Sequence, residues 1–383
     1  MSQRIPRALD QALQGARPGR AVVLYGARRT GKTNLVENAL NSSAGRVLRA
    51  TGDDLRVRNL LQGQDRDAIL AWTDGHDTLF LDEAQRVRDV GWGLNTLVDS
   101  RPNLLIIATG SASFALAGQI GEPLTGRHRP LTLYPVAVGE LANQLNDHEL
   151  TESLEDFLVH GMYPEVRTAP TDVAKREILR ELTGSYLLKD VLELERIQSS
   201  QKLADLLTLL ALQVGNLVSL NELGRAVQLD AKTVARYLDL LRNAFVLDNL
   251  RGFSRNMRNE VTKKSKWYFC DLGVRNAIIN NFNPLASRDD AGALWENFMV
   301  MERAKAWAYA GEPAPSYFWR SWEGQEIDLV EDRGGKLHAY EFKFGAKSRP
   351  KVPAEFARAY PQAVFEVVSP DSFISNLRGI RRA

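Results

Sequence analysis

The chain has 383 residues, 49 Lys and Arg against 47 Asp and Glu for a formal charge of +2, and hydrophobic and charged fractions of 44% and 25%. That length allows two or three domains with sizeable cores, and the composition is that of an ordinary soluble globular protein. The start MSQRIPRALD has no apolar signal core and no stretch approaches the roughly 20 apolar residues of a membrane span. The expected location is therefore cytoplasmic, with no membrane partner. Cys270 is the single cysteine and the five histidines are scattered, which excludes an intrachain disulfide and argues against zinc chemistry; the absence of a GxSxG elbow argues against a serine hydrolase.

The first element is an apolar strand that breaks into GxxxxGK[ST], AVVLYGARRTGKT from Ala21 to Thr33. Gly26 and Gly31 let successive backbone N–H groups face phosphates, and the helix opening after Gly31 adds the positive end of its dipole. Lys32 is placed for the β- and γ-phosphates and the Thr33 hydroxyl for Mg²⁺, so ATP and Mg²⁺ are the expected cofactors. A second apolar strand, TLFLDEAQ, ends in Asp82, which can hold the metal's water shell, and Glu83, which can polarise the attacking water. A third, NLLIIATGSAS, ends in Thr109, Gly110, Ser111 and Ser113. Thr109 or Ser111 either senses the γ-phosphate or simply forms a turn. Strand-like runs alternate with helix-like segments to about residue 142, which predicts a parallel sheet covered by helices, with phosphates at its carboxyl edge.

From 143 to about 200 the pattern is helical. Between Lys202 and Leu250 it reads as three helices, with Asp230 capping the last and Val234, Tyr237, Leu238 and Leu241 at core spacing. The strand-like FVLDNL and WYFCDL follow, which together with the helices predicts a winged helix. Its last helix would offer Lys232, Thr233 and Arg236 to DNA, unless the unit serves only as a lid. Arg251, Arg255, Arg258, Lys263, Lys264 and Lys266 form a basic run that reads either as a phosphate contact or as a solvated loop. After a break at Phe282–Gly292 come the helix ALWENFMVMERAKAWAYA and four strands. Glu341 and Lys343, two residues apart, share one strand face and can converge with Asp328 from the strand before. Two carboxylates can hold a divalent metal that activates water, and Glu296 of the helix adds a third. The plainer reading is an edge strand with alternating charges.

The order of GARRTGKT, LFLDEAQ, ATGSASF, LTGRHRPLTLYPV, GMYPEV, YFCDLG, LWENF, EIDLV and EFK resembles prokaryotic AAA-type (AAA+) ATPases whose carboxy-terminal domain is similar to PD-(D/E)XK nucleases. The resemblance implies an α/β chain with a P-loop AAA+ ATPase core at 1–142, a helical lid or linker at 143–200, a winged helix at 201–283 and a nuclease-like α/β domain at 284–383. It implies nucleotide binding by Gly26, Gly31, Lys32 and Thr33, hydrolysis by Asp82 and Glu83, and a metal site at Glu296, Asp328 and Glu341 beside Lys343. Ile327 stands where the nuclease name has proline, and only Arg180 and Arg196 suggest a sensor arginine. Arg127 and Arg129 of TGRHRP are the finger candidates for a neighbouring subunit's site in a ring, a hexamer. The expected activity is an ATP-driven motor on duplex or branched DNA, and the carboxy-terminal carboxylates serve either metal-dependent cleavage or DNA docking without cleavage. An ATP-gated binding switch and a protein-recognising signalling ATPase are the alternatives.

Overall fold

Five parallel strands form in the amino-terminal part of the computed structural model, β1 Ala21–Tyr25, β2 Val47–Thr51, β3 Thr78–Asp82, β4 Leu105–Gly110 and β5 His128–Thr132, with apolar runs at β1, β3 and β4. Their order in the sheet is β2-β3-β4-β1-β5, so the strand that leads into the phosphate loop lies between β4 and β5. Helix α1 Asp10–Gln14 precedes β1, and α2 Lys32–Leu40, α3 Leu55–Gln62, α4 Arg66–Trp72 and α5 Val90–Ser100 connect the strands from β1 to β4. All five residues of β1 are buried, as a parallel strand covered on both faces requires. Leu61, Ile69, Leu94 and Leu97 pack with Leu79, Leu81 and Ile106 in one core. The structure describes residues 4–41, 45–111, 126–187, 199–253, 264–312, 314–345 and 350–380, with backbone alone at 185–187 and at 264.

Two compact units result, residues 5–135 with 243–245, and residues 1–4 with 136–242 and 246–383. The second unit therefore holds three of the four segments expected from the sequence. Its helices are α6 Val138–Leu141, α7 Asp147–Glu152, α8 Leu154–His160, α9 Pro164–Thr168, α10 Asp172–Glu181, α11 Ser200–Leu212, α12 Leu220–Val227, α13 Ala231–Asn243, α14 Leu272–Ile278, α15 Ala291–Ala310, α16 Ala354–Ala359 and α17 Phe373–Ile380. Asp230 accepts the Thr233 amide at 2.9 Å and so caps α13, whose Val234, Tyr237, Leu238 and Leu241 are buried.

Strands β6 Leu217–Ser219, β7 Leu247–Gly252, β8 Lys264–Phe269, β9 Ser316–Arg320, β10 Glu326–Arg333, β11 Lys336–Phe342 and β12 Val364–Val368 form one mixed sheet in the order β12-β11-β10-β9-β7-β8-β6. The break at Phe282–Gly292 thus does not end a sheet. β7 pairs with β8 along one edge, and β9 takes the backbone groups of its other edge in parallel register, Arg251 opposite Tyr317 and Gly252 opposite Phe318. A two-stranded hairpin left open would expose that edge.

The GMYP and YFCDLG segments meet in a buried joint. Asp271 accepts the Met162 amide at 2.6 Å and the Val274 amide at 3.1 Å, while Asn276 donates to the carbonyls of Leu158 and Val159 at 2.9 Å. Gly161 has φ 75°, and a Cβ there would fall 2.2 Å from Asp271 Oδ1. Cys270 is buried beside this joint, as its apolar setting predicts.

Candidate functional site

The loop after β1 turns back so closely that a Cβ on Gly26 would lie 2.2 Å from the Leu133 carbonyl oxygen, and Gly31 has φ 92°; both positions need glycine. α2 then starts at Lys32, so its first N–H groups open onto the loop. The Lys32 ammonium is buried and donates to the carbonyls of Gly26 at 2.9 Å and Ala27 at 2.8 Å. Thr33 Oγ1 donates to Asp82 Oδ2 at 3.0 Å, which brings the two expected metal-side groups together. Thr109 Oγ1 donates to the other Asp82 oxygen and accepts the Glu83 amide at 3.3 Å. The hydroxyl of Thr109 thus holds the acidic pair in place. Ser111 is buried beside it in sequence, and Ser113 lies outside the described residues.

Two residues of this site were not among those expected from the sequence. Arg7 donates to the Thr30 carbonyl at 2.7 Å and to the Tyr134 carbonyl at 2.7 Å, tying the phosphate loop to the segment after β5. Gln85 donates to the Glu83 carboxylate. Gln85 stands in LDEAQ and could have been read as the residue steadying Glu83, whereas nothing in the sequence near Arg7 points to a phosphate loop.

Arg127 and Arg129 lie at the other end of the sheet. The Ala21 amide donates to the Arg127 carbonyl and Arg129 lies opposite Val22, so both arginines stand beside the start of β1, the strand whose far end leads into the phosphate loop. Arg127 donates to Asn95 Oδ1 at 2.9 Å and pairs with Asp99 at 3.2 Å, and Arg129 lines an open cleft of about 610 Å³ with Arg17, Arg20 and His128. Neither reaches its own chain's loop across β1, a span of roughly 15 Å at ~3.3 Å per residue. Arg180 donates to Asn280 in the second unit, and Arg196 lies outside the described residues.

The carboxy-terminal acidic residues meet a cation that the basic run had placed at the surface. Lys266 is 2% exposed, and its Nζ stands 2.9 Å from Glu296 Oε1, 2.5 Å from Glu326 Oε1 and 3.9 Å from Asp328 Oδ1. It is therefore not a surface phosphate contact, which corrects that part of the basic run. Lys264 has only its backbone described, and Arg255, Arg258 and Lys263 lie outside the described residues. Tyr268, two residues on and on the same strand face, donates to Glu296 Oε1 at 2.7 Å. Asp328 Oδ2 accepts the Phe342 amide at 2.8 Å, and Lys343 pairs with Glu341 at 2.5 Å. The structure therefore unites Glu296, Glu326 and Asp328 around Lys266 and sets Glu341 with Lys343. Glu326 opens EIDLV and Tyr268 opens YFCDLG, yet neither they nor Lys266 were expected at this site, although strand alternation places Glu326 with Asp328 and Lys266 with Tyr268.

The charges respond accordingly. Burial would lower the Lys266 ammonium, but the carboxylates of Glu296, Asp328 and Glu326 hold it well above the ordinary lysine range. Burial and the Asp328 charge push Glu296 up against the pull of Lys266. These residues do not fit a divalent metal at Glu296, Asp328 and Glu341, because each of the three already faces an ammonium, Glu296 and Asp328 that of Lys266 and Glu341 that of Lys343. Among the described residues, one group of three carboxylate or imidazole ligands lies within 4.8 Å, Asp156, His160 and Asp172. There the Asp156 carboxylate already takes His160 and Lys175 at 2.7 Å and also Arg167, an ion cluster in its own right.

Comparison with known proteins separates the two units in kind. Residues 18–142 match the family described as an AAA domain. A domain of that description implies ATP binding, typically with Mg²⁺, and ATPase chemistry in the amino-terminal region. Residues 151–285 and 291–372 match two families described as domains of unknown function, DUF8612 and DUF4143. An uncharacterized protein of Mycobacterium tuberculosis is 27% identical over 344 residues, 89% of this chain and 72% of the relative. One from Methanocaldococcus jannaschii is 24% identical over 332 residues, 82% and 72% of the two chains. Another, from Haemophilus influenzae, is 27% identical over 288 residues, 73% and 64%. No helix among the described residues is long and apolar enough to cross a membrane.

Proposed function

We propose that this chain is an Mg²⁺-dependent ATP hydrolase that remodels duplex or branched DNA as a ring of identical subunits, a hexamer. The observation that carries the reading is the hydrogen-bonded set Thr33, Asp82, Thr109 and Glu83 at the carboxyl edge of the parallel sheet, beside Lys32. Lys32 leaves the carbonyls of Gly26 and Ala27 for the β- and γ-phosphates, exchanging two neutral acceptors for charged ones. Thr33 and Asp82 hold Mg²⁺, which neutralises charge on the phosphates when bound. Glu83, fixed by Gln85 and by its own amide on Thr109, takes the proton of the attacking water.

Arg127 and Arg129 serve a neighbouring subunit's nucleotide, a contribution of about 10³ to 10⁵ in rate where an arginine finger operates. In the second unit α11, α12 and α13 with the antiparallel set β6-β8-β7 make a winged-helix arrangement. The exposed Lys232 and Arg236 of α13, with Arg251 at the end of β7, meet DNA phosphates. ATPase rates without DNA and with single strands, duplex, forks and four-way junctions test the reading. Mg²⁺-dependent turnover stimulated most by duplex or branched DNA is expected. Turnover indifferent to every DNA would overturn the DNA assignment, and no turnover under any condition would overturn the hydrolase.

A further inference from the structure

Four carboxylates and two ammonium groups share the face built by β8, β10, β11 and α15. Lys266 has three N–H donors, and Glu296, Glu326 and Asp328 stand around it at 2.9, 2.5 and 3.9 Å. The remaining capacity of these carboxylates is partly spent: Tyr268 takes Glu296 and the Phe342 amide takes Asp328. A divalent ion needs several oxygens at about 2.0–2.6 Å. Here it would also face a buried ammonium in a medium that screens poorly. The lysine side chain is buried and the backbone register holds it on this face. Register with β6 and β7 places Lys266 opposite Leu217 and Leu250, and a slip of one residue would send Lys266 and Tyr268 to the opposite face.

We infer that Lys266 is the resident cation of this centre, a tethered ammonium in the place a divalent ion takes in a metal-dependent nuclease, so that the centre keeps its carboxylates without metal and does not cleave DNA. The inference stands apart from the nucleotide site and from the DNA reading.

Mn²⁺ titration of chelator-treated full-length protein without nucleotide, followed by electron paramagnetic resonance of the free ion, tests it. Wild type and Asp328→Asn should bind the same number of Mn²⁺ ions, because Asp328 holds none. Lys266→Met should gain one ion per chain, and Lys266→Met combined with Asp328→Asn should lose that gain. Labelled linear and branched DNA should remain uncut by wild type with Mg²⁺ or Mn²⁺. One ion fewer on Asp328→Asn than on wild type, or wild-type cleavage abolished by Asp328→Ala, would overturn the inference. So would a folded Lys266→Met that gains no ion. Should Lys266→Met fail to fold, the comparison of wild type with Asp328→Asn decides alone.

Discussion

Glu83 has φ 49°, a left-handed conformation that non-glycine residues seldom adopt, and it follows directly on the strand that delivers Asp82. Its amide is held by Thr109 and its carboxylate by Gln85. Glu83→Gln should therefore bind ATP while slowing hydrolysis about 100- to 10,000-fold, because only the proton acceptor is lost. Lys32→Ala should instead weaken nucleotide binding itself. Equilibrium binding of a fluorescent ATP analogue beside single-turnover hydrolysis separates the two, and rapid turnover by Glu83→Gln would remove Glu83 from its role. Arg7 makes a different kind of contribution, two charged hydrogen bonds to backbone carbonyls of the loop and the β5 exit. Arg7→Ala should lower stability by about 1–3 kcal/mol and raise the KM for ATP, since the loop loses its outer anchor. Urea denaturation and steady-state kinetics check both effects.

At the scale of elements, the joint between α8 and α14 leaves no room for a side chain at Gly161. Gly161 faces Asp271 and the Gly273 amide within 2.5 Å of where a Cβ would sit. Gly161→Ala should cost roughly 2–4 kcal/mol through overpacking and a disfavoured φ, read as a fall in the urea midpoint. The start of α15 is held by charge instead. Burial alone would raise the Asp290 carboxyl, but hydrogen bonds from Arg288 and the charge of Arg275 outweigh it and bring it from an ordinary 3.8 down to about 2. A depressed folded-state value means the folded form binds fewer protons, so this contribution is present above about pH 4 and lost as pH falls toward 2. The stability difference between wild type and Asp290→Asn, measured in urea from pH 6 to pH 2, should shrink across that window. A difference constant with pH would mean that Asp290 acts through shape rather than charge.

At the scale of the whole molecule, Arg127 and Arg129 stand at the opposite end of the sheet from their own phosphate loop, so the finger role proposed for them requires a second subunit. Mixing Lys32→Ala protein with Arg127→Ala or Arg129→Ala protein should recover part of the ATPase lost by each alone. Each partner supplies the half that the other lacks, so failure of both mixtures with a fully active monomer would end the finger assignment. The DNA contact proposed for the second unit likewise depends on summed charge. Reversing Lys232 and Arg236 to Glu should flatten the slope of log K against log salt by roughly 2 units, about 0.9 for each phosphate no longer neutralised. An unchanged slope in a folded variant would place the DNA surface elsewhere.

The phosphate loop, the acidic strand end and the run of strands were legible in the amino-acid sequence because each depends on a few consecutive residues. Gly26 and Gly31 set backbone angles, Lys32 and Thr33 open a helix, and an apolar strand delivers Asp82 to its carboxyl end whatever surrounds it. Alternation likewise placed Glu341 with Lys343 on one face. It could not say which element that face would meet. Lys266, one cation in a basic run, looks like its neighbours until β8 pairs with β7 and β6 and turns it toward Glu296, Glu326 and Asp328. Arg7 finds Tyr134 at a separation of 127 residues, and β7 finds β9 across the expected boundary at Phe282–Gly292. Local chemistry was settled by the chain itself, because backbone angles and side-chain period act over a few residues. Which charge neutralises which was left to tertiary structure, because strand pairing brings together residues that no short-range preference connects.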